Sequence, residues 1–223
     1  MRKNKYISVS KLSESKFRQI IRYYSEDFTI LQIAKLTHVN RNTVNLWVNR
    51  IRERIYRQVE IEKIKNSINV QVDETFFCRP SKFYKKYRIP HHEIIVFGLI
   101  DNHQKVYAQI INKVNKQEIY PIISECCAKG CHVFTDGGTV YKGLSLYGYQ
   151  HHFVNHLDYE FSRYEKGVCI TTNQIESFWA WMKVRFVKFR GIKWKNMHLH
   201  VAESVWRFNH RHDDIFMLLL DLC

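Results

Sequence analysis

The chain has 223 residues, 45% of them hydrophobic and 25% charged, a balance expected of a folded globular protein and not of a disordered one. This length buries one good core with room for a small second module. With 35 Lys and Arg against 21 Asp and Glu, the net charge is +14, which favours a polyanionic partner, nucleic acid ahead of an anionic membrane surface. Apolar runs such as 94–98 and 215–220 fall far short of the roughly 20 residues a membrane crossing needs, so no membrane role is expected.

The opening MRKNKYISVSK is basic but has no apolar core, so it does not read as a secretory signal. The expected location is the cytoplasm or nucleoid of a bacterium, or the nucleus of a eukaryote. Residues 1–65 carry 15 Lys and Arg against 6 Asp and Glu, which concentrates the positive charge at this end. Phe17, Ile20, Ile21 and Tyr24 fall at helical spacing, predicting a helix over 15–24. A short second helix is predicted over 29–36, with Ile30, Ile33, Ala34 and Leu36 inward. After the turn Thr37-His38-Val39, Asn40 is a suitable N-cap for a third helix.

That third helix places Val44, Trp47, Val48, Ile51 and Ile55 on one side, with Arg41, Asn42, Thr43 and Asn45 near the other. The layout is a helix-turn-helix, whose second helix enters the major groove by its N-terminal residues. Arg and Asn make bidentate contacts with guanine and adenine edges. The plain alternative is a packing module with a solvated polar face; the local charge favours DNA. Arg50, Arg52, Arg54 and Arg57 extend the helix as a basic strip suited to phosphates. A domain boundary is expected near 65, giving residues 1–65 as the DNA-binding module and 66–223 as a second domain.

From there the period changes. Strands are predicted over 68–77, 94–101 and 106–114, a helix over 117–127, a strand over 132–135, another over 150–154, and helices over 172–190 and 198–210. This order makes a mixed α/β domain around a central sheet. Cys126, Cys127, Cys131 and His132 have no second ligand pair at matching spacing, so buried free thiols are expected there, not zinc. In the long helix Phe178, Trp181, Val184 and Val187 read as core.

Three carboxylates stand out by placement. Asp73 lies inside the first strand (VQVDETFF), Asp136 ends a later strand (VFTDGG), and Glu176 opens the long helix (TTNQIESFW). An Asp between Val72 and Phe76-Phe77 is costly unless paired or ligated. Carboxylates at strand ends, joined by one from a helix, suit hard divalent cations, and two such ions about 4 Å apart serve phosphoryl transfer without a side-chain nucleophile. Singly, each residue has an ordinary reading: a salt-bridged strand residue, a turn residue, a first-turn Glu favoured by the helix dipole. Lys183 follows Glu176 by seven residues, so on a helix it returns to nearly the same face about 10 Å further along. Arg185, Lys188 and Arg190 would extend a basic track for DNA phosphates.

The runs VDETFF, VFTDGGTVYKGL, HHFVNH, GVCITTNQIESFWAWMK, RFVKFRGI and VAESVWRFNHR, spanning about 67–212, resemble the DDE-type transposases of the small bacterial insertion-sequence group related to the eukaryotic Merlin transposons. The resemblance implies a ribonuclease H-like fold and cutting and joining of transposon ends with Mg²⁺ or Mn²⁺ in a two-metal site. It implies that Asp73, Asp136 and Glu176 are the metal-binding triad, with His156 and Asn173 as neighbours of the site. The expected partner is double-stranded DNA, both transposon ends and target, bound by a homodimer or larger synaptic complex. One departure is FFCRPSKFYKKYR after Asp73, where relatives are glycine-rich. A catalytically silent DNA-binding derivative and a structure-specific nuclease of the same fold are the alternatives.

Overall fold

The computed structural model describes residues 4–6, 12–77, 93–154, 162–165, 168–189 and 191–223. They divide into two compact units, one made of Met1–Ile61 with Arg185–Cys223, the other of Glu62–Val184. Among the described residues no helix is long and apolar enough to cross a membrane.

The first unit is helical. Helix α1 (Glu14–Ser25) starts where Ser13 accepts from Lys16 N, and it buries Phe17, Ile20, Ile21 and Tyr24, the four positions its period marks. Helix α2 (Ile30–Thr37) opens with a capping box between Thr29 and Gln32 and stops at His38, whose φ of 52° leaves the helical region. Asn40 Oδ1 then accepts from Asn42 N at 2.8 Å, starting α3 (Arg41–Ile61). The inner face of α3 is Val44, Trp47, Val48, Ile51 and Ile55, as its spacing predicts, and it adds Val59 and Arg52.

Arg52 is a correction to the basic strip. It is buried and paired with Glu203 of a C-terminal helix, Met197–Asn209, through Nε to Oε2 at 2.7 Å. Glu203 is fully buried and also receives Arg185 at 2.6 Å and Arg207 at 2.9 Å. Arg185 reaches Asp27 at 2.8 Å and Ser204 Oγ at 2.9 Å, while Arg207 donates to the carbonyls of Tyr24 and Ser25. Burial alone would push the Glu203 carboxyl upward, but Arg185, Arg52 and Arg207 overrule it and hold it well below the usual range. A carboxylate shared by three guanidiniums satisfies the condition under which buried ions are tolerated: every charge has a partner with good geometry.

The second unit is built on a five-stranded sheet of β1 (Ser67–Phe77), β2 (Ile94–Asp101), β3 (Val106–Ile111), β4 (Cys127–Thr135) and β5 (Gln150–Phe153), ordered β3-β2-β1-β4-β5. The hairpin strands β1, β2 and β3 pair antiparallel, while β4 and β5 join in parallel. Helix α4 (Lys116–Cys126) links β3 to β4 and turns Ile119, Ile122, Ile123 and Cys126 inward. A small hairpin, β6 (Ser162–Glu165) and β7 (Val168–Thr171), precedes α5 (Asn173–Val187); the C-terminal helices are α6 (Met197–Asn209) and α7 (Ile215–Asp221). The mixed sheet with flanking helices, after an N-terminal helical region, is a ribonuclease H-like arrangement. Cys126, Cys127 and Cys131 are buried thiols outside any disulfide, and no metal-sized group of His, Cys, Asp or Glu occurs among the described residues.

Strand β4 begins five residues earlier than its apolar run, because Cys127 pairs with Ser67 ahead of a register shift. On α5, Phe178 is core, whereas Trp181, Val184 and Val187 are exposed, at 38%, 74% and 75%, and correct the core reading of all four.

Removing the charge at position 203 leaves three guanidiniums without a buried counter-ion. Glu203→Gln is expected to cost about 3–5 kcal/mol in urea unfolding. Because the folded-state pKa of Glu203 is depressed, its contribution is present above the ordinary Glu range near 4 and is lost as pH falls below it. The difference between parent and variant should therefore shrink on acidification.

Candidate active site

Strand β1 carries alternate residues on each face. Gln71 and Asp73 share one face and Glu74 has the other. The parallel ladder to β4 ends at Gln71 opposite Phe134. Two residues beyond that pair stand Asp73, still within β1, and Asp136, one residue past the end of β4. The register brings them near each other where the strands part, close enough for the Asp136 charge to act on Asp73.

The turn after β4 holds Asp136 in place. Thr135 Oγ1 accepts from Gly137 N at 3.2 Å and lies 2.9 Å from His151 Nε2, and Asp136 Oδ1 accepts from Gly138 N at 3.0 Å. Gly137 has φ +81°, which a side chain would strain, and a Cβ on Gly138 would stand 3.2 Å from Asp136 Oδ1. A short 3-10 turn follows, Thr139–Tyr141, whose Tyr141 hydroxyl donates to Glu74 Oε2 at 2.5 Å. Strand β1 and the Asp136 loop are therefore tied from the opposite face as well.

Asp73 is held by α5. Trp179 Nε1 donates to Asp73 Oδ2 at 3.0 Å. The ring fits because Gly98 pairs directly with Asp73 across the β1–β2 ladder. A Cβ at 98 would come within 2.6 Å of Trp179 Cη2. An isolated glycine inside an apolar strand marks a close approach of this kind. Burial, with the charges of Glu74 and Asp136 added, pushes the Asp73 carboxyl up to about 7, against the smaller lowering by the Trp179 hydrogen bond. Glu74 is also raised, first by burial. Among the described residues no Lys or Arg forms a salt bridge with Asp73, Glu74 or Asp136. Two half-buried carboxylates beside the exposed Asp136, with no salt-bridged base among the described residues, are the donor chemistry that a hard divalent cation satisfies.

Glu176 is exposed in the first turn of α5, where Thr172 Oγ1 donates to its Oε1 at 2.6 Å. It is not drawn with Asp73 and Asp136 into one metal-sized group. Asn173 is the exposed first residue of the helix, its N–H donated to Thr171 Oγ1. Lys183 is exposed seven residues beyond Glu176 on the same helix. Arg185 and Lys188 depart from the basic track expected after Lys183: Arg185 is buried in the Glu203 network, and Lys188 is half-buried against Asp27. Arg190, His156, His91, His92 and the basic stretch 79–88 lie outside the described residues. On α3, Arg41, Asn42 and Asn45 are exposed and Thr43 is half-buried.

Residues missed in the sequence are Gln71, Glu74, Gly98 and Tyr141. Gln71 and Gly98 left a trace, a polar residue in phase with Asp73 and a lone glycine mid-strand. Tyr141 left none, because nothing local reveals a partner 67 positions away.

With chelator present, the raised Asp73 pKa makes its charged form a burden on the folded state. That burden is absent below the unfolded value near 4 and complete above about 7. Thermal melts of Asp73→Asn should therefore show a gain in midpoint that grows across this window and then levels off. Gly98→Val should cost about 1–3 kcal/mol and shift the tryptophan emission, since the added atoms overlap the Trp179 ring.

No curated protein matches the chain. The ISXO2-like transposase domain family matches residues 66–209, taking in β1 through α6 with Asp73, Asp136 and Glu176. The chain belongs to the ISXO2-like transposase domain family, a family of DDE transposases.

Proposed function

We propose that this chain is a DNA transposase of the small insertion-sequence group related to the Merlin transposons. It binds the terminal inverted repeats of its element as double-stranded DNA and cuts and joins strands at the ends. The observation that carries the reading is the closeness of Asp136 to the half-buried Asp73 just beyond the β1–β4 ladder, where the Asp136 charge helps raise Asp73, within a DDE transposase domain.

In this reading Asp73, Asp136 and Glu176 hold divalent Mg²⁺ or Mn²⁺. Cations held there would supply activation of the attacking oxygen, from water or a DNA 3′-hydroxyl, and stabilisation of the leaving one. The protein's own part is positioning. Gly137 and Gly138 shape the Asp136 turn, the Trp179 N–H fixes one oxygen of Asp73, and the first turn of α5 presents Glu176. Lys183, exposed further along that helix, supplies a cation for the DNA backbone. His156 and Asn173 serve as neighbours of the site.

Arg41, Asn42, Thr43 and Asn45 at the start of α3 read base edges, following the short turn His38–Asn40 in a helix-turn-helix layout. We place the linear boundary between the DNA-binding module and the catalytic domain at residue 65. Two ends must be brought together, so the working form is a homodimer or larger synaptic complex.

The test is cleavage of a duplex carrying the element's own end, with Mg²⁺ or Mn²⁺. Asp73→Ala, Asp136→Ala and Glu176→Ala should each lower the rate by more than about 100-fold, because even outer partners of metal ligands cost about 10–100-fold. Full activity in Asp73→Ala would rule out the site. Arg41→Ala and Asn45→Ala should leave strand chemistry intact while weakening discrimination between end and random duplex by about 1–3 kcal/mol per lost contact. End binding with no nicking under any metal would instead favour the catalytically silent DNA-binding derivative.

A further inference from the structure

The N-terminus of α5 is capped in an uncommon way. The amides of a helix's first turn have no partner within the helix, and a residue just before it normally supplies one. Thr172 stands at that position, yet its hydroxyl donates to Glu176 Oε1 at 2.6 Å. The acceptor comes from the sheet instead. Gln71 Oε1 receives Gln174 N at 2.9 Å and Ile175 N at 3.2 Å, from a side chain that is itself buried. Asn173 N goes to Thr171 Oγ1, and Glu176 N begins the helical ladder on Thr172 O. Every amide from 173 to 176 is thereby accounted for, two of them by one glutamine 103 and 104 positions away.

A second grip lies one turn on. Asp73, on the same face of β1 as Gln71, receives Trp179 Nε1, and the ring occupies the slot over Gly98. The two grips are commensurate. Two strand residues advance about 6.6 Å, and the four helix residues from Ile175 to Trp179 advance about 6 Å. Glu176 lies between the grips. Either one alone would leave the helix free to turn or slide along the strand; together they fix both its height and its rotation.

We propose that Gln71 and Trp179 are positioning residues that clamp α5 to β1 on either side of Glu176, so that the first turn carrying the glutamate is held against the strand that carries Asp73. The proposal rests on the reading of these three acids as the metal-holding set. Gln71 and Trp179 touch no reacting atom; they act through the backbone of α5 and through Asp73. Losing a grip should slow the strand-cutting step and weaken metal binding, while duplex affinity, which depends on other residues, stays as it is.

The experiment uses the full chain with three substitutions. Gln71→Met keeps length and apolar bulk but removes the acceptor. Gln71→Glu keeps an acceptor oxygen for the two amides, and a helix N-terminus favours its charge. Trp179→Phe keeps a ring over Gly98 but removes the N–H. Single-turnover cleavage of the end-bearing duplex, duplex affinity and Mn²⁺ titration are measured on each, with cooperative melting as the check on folding.

Gln71→Met and Trp179→Phe should each lower the cleavage rate by about 10–100-fold and weaken Mn²⁺ binding, the range for residues that orient metal ligands. Duplex affinity should be unchanged, and Gln71→Glu should recover most of the loss. The clamp is overturned if Gln71→Met and Trp179→Phe fold and cut at the parental rate, or if Gln71→Glu is no better than Gln71→Met. Should the parental chain neither cut nor bind Mn²⁺, the transposase reading falls and the clamp with it; a cutting parent with indifferent variants removes the clamp alone.

Discussion

Where helix α5 lies on the sheet is decided by a glycine facing an aspartate. Gly98 and Asp73 are direct partners across β1 and β2, and the absence of a side chain at 98 opens a slot one indole wide. Trp179 fills it and spends its only hydrogen-bond donor on the aspartate. A β-branched residue at 98, the usual choice in a buried strand, would hold the helix off the sheet. Asp73 would then lose its donor and Glu176 its place beside β1. The site's geometry follows from this one vacancy in the strand.

Electrostatics give the two units opposite characters. In the helical unit charge is over-satisfied: Glu203, fully buried, is shared by Arg52, Arg185 and Arg207 and stays ionised. Where β1 and β4 part, charge is under-satisfied. Burial and the charges of Glu74 and Asp136 raise Asp73, burial and the Asp136 charge raise Glu74, and no described basic side chain forms a salt bridge with these acids. A buried acid surrounded by arginine is architecture; half-buried acids crowded by other acids lack that compensation. The same residue type thus has two roles, separated by what its neighbours carry.

Much of the arrangement was legible beforehand. The strand period over 68–77, the helix period on α1 and α3 and the Asn40 cap all describe interactions within a few residues, and the structure places them within a residue or two of expectation. The hairpin β6–β7 was not anticipated. Its strands are four residues each, and the first of them, SRYE, carries no apolar run to mark it. Val184 and Val187 misled for a different reason. An apolar residue at helical spacing names a face, but does not say that anything covers it, and here both remain exposed.

By itself, the sequence determined most of the order of elements, the concentration of positive charge at the N-terminal end, and the places of Asp73 inside a strand, Asp136 just past one and Glu176 in the first turn of a helix. These depend on local periodicity and on composition, which a linear chain displays. Only the tertiary structure decided which charges are working surface and which are internal mortar. Arg52 and Arg185 look like phosphate ligands in a basic run, yet each is claimed by an acid 151 or 18 positions away. The structure likewise decided that Gln71, not a residue beside the helix, caps α5. The fate of a charge or a polar group is set by burial and by whichever partner the fold brings near, and neither is written in the residues next to it.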